Sequence, residues 1–334
     1  MPVANGKAGG PAELVRQNTG RLRPIGFTAE GTLYYSLENR GSDIYSADLG
    51  PDTSKAAGAP KPLIERFMGK NANPVWAPDG KRLAYYSMRG HPPTMGVLSI
   101  RNEETGEEVD LYPKLAWFKG LSWFPEGRSL LAYGVDLTNT MAYFRIDAET
   151  GEVNKLFDVD FRGLVPWAVL SPDGKRLYNL GPRGLVEHDL ANGGERAVAR
   201  PPKGAEFVEL AMSPDGKFLA TKLNKSPYSL AILPVDTGEV REVLTIPPPN
   251  WFLSIAWTPD SRYLLSAKQF EVENERAELW RVAVATGEAQ SLGLSFQSIR
   301  DLSIHPNGRR IAFTYAHRTS EIWAMENLGT GSAR

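Results

Sequence analysis

The side chains in this chain that could do acid–base or metal chemistry are few and widely scattered. Among 334 residues there is no cysteine, and the four histidines are His91, His188, His305 and His317. Without Cys there is no thiolate nucleophile, no disulfide and no Cys-ligated metal. No His-x-Glu, His-Glu-x-x-His or His-x-His pairing has the spacing of a metal site. Neither a Gly-x-Ser-x-Gly nucleophile elbow nor a Gly-rich phosphate loop occurs. Acidic residues do recur, as Asp79, Glu126, Asp173, Asp215 and Asp260, but 42 to 47 residues apart. Each follows a proline and precedes Gly or Ser, which is turn chemistry rather than a carboxylate pair. No catalytic residue, metal or cofactor is expected.

Those acidic residues belong to a repeat. It reads FTAEG (27–31), WAPDG (76–80), WFPEG (123–127), LSPDG (170–174), MSPDG (212–216), WTPDS (257–261) and IHPNG (304–308). Measured at the Pro position (Ala29 in the first copy), the intervals are 49, 47, 47, 42, 45 and 47 residues. Pro presets the first central residue of a type I turn, Asp bonds locally, and Gly takes the left-handed conformation that closes a hairpin. Ser261 stands where that Gly should be, so strain is expected there.

Strands flank every turn. KRLAYYS, RSLLAYG, KRLYNLG, KFLATKL, RYLLSAK and RRIAFTY follow it with the alternation of half-buried strands. A third strand follows (DIYSADL, AYFRID, YSLAILPV, AELWRVAV, SEIWAM), then a Gly-containing turn and a more variable fourth strand. Four antiparallel strands per 45 residues or so make a propeller blade. Val75, Ser122, Val169, Ala211, Ala256 and Ser303, with Gly26, lie three places before the Pro position, as suits inner strands converging on an axis. The expected fold is all-β: one β-propeller domain over 1–334, seven-bladed with six as the alternative. The last repeat ends after its third strand. The segment 12–16 is therefore expected to supply the missing strand through Glu13, Leu14 and Val15, closing the ring by exchange between the termini.

The run W/S-x-P-D-G-[KR]-x-[LI]-A-[YF] with its D-x-x-T-G-E turns resembles the WD-like repeats of TolB-type propellers. WAPDGKRLAYYS, LSPDGKRLY, MSPDGKFLA and IHPNGRRIAFTYAHRTSEIWAMENL carry the resemblance, which covers nearly the whole chain. It implies a bacterial protein with a six-bladed ring and an extra N-terminal domain, whereas seven turn copies and no such domain are read here. It also implies a periplasmic location if the chain is part of a longer protein, and a cytoplasmic one otherwise.

A net charge of −1 gives no electrostatic footprint for nucleic acid. No apolar run reaches the eighteen or so residues that span a bilayer. A protein or peptide partner, bound by a monomer, fits this surface best. The loops entering the inner strands ring one channel mouth, and they hold the candidate site: Arg23, Asn73, Lys119, Trp167, Glu209, Trp251, Phe252, Arg300 and Asp301. Trp near Arg is what interaction hot spots use. The competing reading of the aromatics is packing between blades. A non-catalytic binding or scaffold propeller leads, ahead of a metal-assisted lyase or hydrolase and of a sensor domain from a signalling protein.

Overall fold

Each turn copy closes a hairpin through the same bond. In the six later copies the fifth residue donates its N–H to the carbonyl of the second, from Gly80 to Ala77 at 2.9 Å through Gly308 to His305 at 2.8 Å. The Ser or Thr before the proline locks the turn: Ser171, Ser213 and Thr258 donate to Asp173, Asp215 and Asp260 at 2.5–2.6 Å. Those carboxylates in turn accept the N–H two residues on, at Lys175, Lys217 and Arg262. Ser261 takes the glycine's left-handed conformation, with φ of 57°. That is the expected strain.

The computed structural model describes residues 3–4, 7–8, 21–51, 53–89, 96–159, 167–181, 184–270 and 276–326. All regular elements among them are strands. Two compact units result, Ser42–Ala316 and Met1–Gly41 with His317–Arg334.

The larger unit holds five four-stranded antiparallel sheets in up-and-down order. Their inner strands are Asn71–Trp76, Leu115–Trp123, Ala168–Leu170, Glu206–Met212 and Trp251–Trp257, which begin blades A to E. The sixth inner strand, Ile299–Ile304, begins blade F. It pairs with Arg310–Met325, which is hydrogen-bonded to Leu33–Asp48, which carries Lys61–Pro62. Blade F is therefore built from both ends of the chain.

One backbone bond proves the equivalence. In every blade the residue after the third strand donates to the Lys or Arg after the turn. The pairs are Glu103 to Lys81, Ala148 to Arg128, Leu190 to Lys175, Val235 to Lys217 and Val284 to Arg262, at 2.9–3.0 Å. In blade F the donor is Leu49 and the acceptor Arg309, at 2.8 Å. Arg310 reinforces this clasp by an ion pair to Asp48 at 3.0 Å.

The fold is thus the expected propeller of antiparallel blades, closed by exchange between the chain ends, with the alternative count of six around the channel. DIYSADL, read as the third strand of a first blade, closes the last blade. The expected closing segment at 12–16 lies outside the described residues. SEIWAM is not a separate third strand: Arg310–Met325 continues through it unbroken, beside Leu33–Asp48. The first turn copy lies in the other unit. There Arg21–Phe27 pairs with the start of Leu33–Asp48, Phe27 opposite Leu33 and Leu22 opposite Leu37.

Between blades the core is apolar. One cluster joins blades A and B through Leu98, Phe118, Leu121, Leu130 and Phe144. Another joins D and E through Leu230, Phe252, Ile255 and Leu264. The Trp two places before the turn proline works across the seam. Trp123 Nε1 donates to Val75 O at 3.1 Å, and Trp257 Nε1 to Ala211 O at 3.0 Å.

Candidate functional site

The six inner strands enclose a channel of about 300 Å³, lined by residues of all six blades. Val75, Ser122, Val169, Ala211, Ala256 and Ser303 are on its wall, as their small size required. In five of the strands a β-bulge interrupts the register close to the mouth, for example between Ala72 and Val75 and between Arg300 and Ser303. The residues five places before the turn proline fall at this level: Asn73, Gly120, Trp167, Glu209, Ser254 and Asp301. Asn73, Gly120, Glu209 and Asp301 have φ between 48° and 65°. A left-handed non-glycine residue needs bonds to hold it, and such strain concentrates at sites that position a side chain.

Those bonds run to the next blade. Asn73 Oδ1 accepts Leu121 N–H at 2.7 Å. Glu209 Oε1 accepts Ile255 N–H at 3.1 Å and the Ser254 hydroxyl at 3.2 Å. Ser254 Oγ accepts Leu302 N–H at 3.1 Å. Asp301 Oδ2 accepts the Thr314 hydroxyl at 2.8 Å, and Thr314 Oγ1 accepts Asn73 N–H at 2.9 Å. The bulge side chains thus stitch one blade to the next around the mouth. Glu209 also holds Lys222 at 2.7 Å, and Lys222 donates to Leu253 O at 2.7 Å.

Burial pushes the Asp301 carboxyl above the usual carboxylate range, against the pull of Thr314, the Asn73 N–H, Arg300 and Lys119. Burial likewise pushes the Tyr133 hydroxyl up to about 12, with Asp301 adding to it. Tyr133 packs where a Cβ on Gly120 would stand, 2.6 Å away. That is why this member of the set has no side chain.

Of the nine candidate residues, Asn73, Trp167, Glu209 and Asp301 come together on the channel wall. Lys119 and Arg300 are exposed, and both act on Asp301. Trp251 and Phe252 line a different cavity, with Lys222. Arg23 lies in the smaller unit, 3.8 Å from Glu38. Phe252 is also buried between blades, as the packing reading held. Ser254, Lys222 and Thr314 were not singled out by sequence. Ser254 could have been, since it occupies the same place in the repeat as Glu209 and Asp301.

His188 and His305 make structural contacts. His188 bonds Asn179 at 2.7 Å, approaches Glu195 at 3.3 Å and stacks on Phe157. His305 replaces the turn Ser, accepting Asn307 N–H at Nδ1 and contacting Gly80 O at 3.0 Å. His91 lies outside the described residues. Among the described residues no three His, Cys, Asp or Glu side chains converge as metal ligands.

No family model matches the chain, and no curated protein matches it. Solved structures do. A protein assigned as TolB from Agrobacterium tumefaciens aligns with a TM-score of 0.66 over 83% of this chain and 99% of its own, at 15% identity. The fold is that of a TolB-type propeller. TolB from Acinetobacter baumannii gives 0.57 over 84% of this chain and 66% of its own, at 19% identity. The hydrazine synthase of Kuenenia stuttgartiensis gives 0.54 over 73% of each chain, at 17% identity. TolB-type architecture is thus shared with an enzyme, so the fold does not assign an activity.

Proposed function

We propose that the ring is a binding platform rather than a catalyst, and that its channel mouth takes a protein segment presenting a carboxylate. The observation that carries this reading is the division of labour at the mouth. The acidic side chains, Glu209 and Asp301, are consumed by bonds at the seams of the blades, whereas the cations Lys119 and Arg300 are exposed. A carboxylate already accepting backbone or hydroxyl protons is poorly placed to relay one, while exposed Lys and Arg attract an anionic group. Trp167, partly exposed on the wall, offers a large face for an apolar neighbour of that group. The left-handed bulges keep the mouth rigid, which lowers the ordering cost of capture.

The test is fluorescence anisotropy with labelled acidic peptides, each made with a free and an amidated C-terminus. Lys119→Ala with Arg300→Ala is expected to weaken binding roughly tenfold or more, and Trp167→Ala to weaken it further. Binding should also fall as salt rises. Equal affinity in the wild-type and variant proteins would remove the mouth as the site. Stoichiometric metal in the purified protein, with turnover of a sugar or peptide, would favour the lyase or hydrolase reading instead.

A further inference from the structure

A second cavity, of about 420 Å³, opens between blades D and E, lined by Val208, Lys222, Leu223, Asn224, Tyr228, Trp251 and Phe252. Its size is in the range of small-molecule sites and far beyond one water. We propose that it binds a neutral aromatic small molecule carrying a hydrogen-bond acceptor. This site is separate from the channel mouth and does not depend on the reading of that mouth.

Three features of the wall select this class of ligand. The floor is apolar: Leu223 and Phe252 are buried, so a hydrated or charged group there would lose its solvation. Trp251 and Tyr228 are partly exposed and flank the space. Rings of this kind favour an aromatic partner in offset or edge contact. Neither the Trp251 indole N–H nor the Tyr228 hydroxyl makes a hydrogen bond among the described residues. An apolar pocket with free donors at its edge fits a ring that bears an acceptor. The third feature is charge. Lys222, the one cation on the wall, is neutralised by Glu209 at 2.7 Å and bonded to Leu253 O. The Asn224 amide carries no charge and donates to Glu206 at 3.2 Å. Nothing on the wall is left to balance an ionic ligand, which therefore favours a neutral one.

Acetophenone, a phenyl ring with one carbonyl acceptor, is a suitable probe. It would be titrated into ¹⁵N-labelled protein while the indole N–H resonances are followed, with the Trp251 signal assigned as the one missing from Trp251→Phe. A saturable shift of that signal is expected, with half-saturation at roughly millimolar concentration or below. Tyr228→Phe and Trp251→Phe each delete one donor and should weaken binding roughly 3- to 10-fold, the latter read by saturation transfer on the ligand. Lys119→Ala with Arg300→Ala should leave acetophenone binding unchanged, which separates this site from the mouth. A Trp251 signal that never moves would overturn the proposal, as would unaltered affinity in whichever of the two donor variants folds.

Discussion

At the scale of single residues, the same charge does different work according to what surrounds it. Glu209 and Lys222 are both largely inaccessible and bridge blade D to blade E. Removing the carboxylate leaves a desolvated ammonium and an unpaired Ile255 N–H. Glu209→Ala is expected to cost about 3–5 kcal/mol in urea unfolding. The Arg145–Glu126 pair is almost as short, at 2.9 Å, but both partners are about two-fifths exposed. Glu126→Ala should change stability by no more than about 1 kcal/mol. If the two variants unfold alike, the seam bonds are not what holds the mouth. His188 gives a pH signature. Burial holds its pKa below the ordinary value, although Glu195 pulls the other way. The unfolded chain then binds a proton more readily than the folded one. Stability is therefore full above about pH 6.5 and declines as pH falls from there toward the folded-state pKa. The contribution to the slope is at most about 1.4 kcal/mol per pH unit. His188→Gln should flatten the dependence of melting temperature on pH between 7 and 5.5; an unchanged slope would assign it to other groups.

At the scale of elements, the sequence announces the hairpins and hides the connections. Every Pro-Asp-Gly copy marks a real turn, because Pro, Asp and Gly each satisfy a local backbone demand that needs no tertiary context. The small residues three places before the turn were legible for a similar reason, since converging strands admit little else. Gly181 opposite Gly184 also appears as the short hairpin that shortens one interval to 42 residues. What could not be read was continuity. The stretches LENRGSD and YAHRTSE look like loops between two strands each, yet Leu33–Asp48 and Arg310–Met325 are single strands of 16 residues. Whether such polar stretches turn or run on depends on the strand beside them, not on their own composition. The mouth was half legible. Asn73, Glu209 and Asp301 were candidates by their place in the loops entering the inner strands, but their shared role is conformational: a bulge turns each toward the next blade. No residue type signals that, because Gly120, Trp167 and Ser254 occupy equivalent places.

At the scale of the molecule, the count of blades follows from where the ring is closed. Seven turns suggested seven inner strands, but the Leu49-type bond that marks a blade of the ring occurs six times among the described residues. The first turn copy has its own hairpin in the smaller unit, shorter by one residue, with Thr28 N–H bonded to Thr32 O at 3.0 Å. Blade F thus depends on a chain segment more than 250 residues from its partner strand. Long-range closure of this kind is slow to form, and when lost it leaves a bare sheet edge. It sets apart two truncations that differ by eight residues. A protein starting at Ser42 retains the part of the closing strand from Ser42 to Asp48, the Leu49 donor and the Asp48–Arg310 pair, together with Ile44 and Ala47 in the closing cores. A protein starting at Gly50 has none of them, and Phe313 and Ile311 lose their cover. Scanning calorimetry should show the first melting as one cooperative transition, and the second melting at least about 10 °C lower or aggregating before it melts. If both melt together, the ring does not depend on this strand, and closure must lie elsewhere in the chain. If the longer truncation alone collapses, the clasp between Asp48 and Arg310 marks where the ring is sealed.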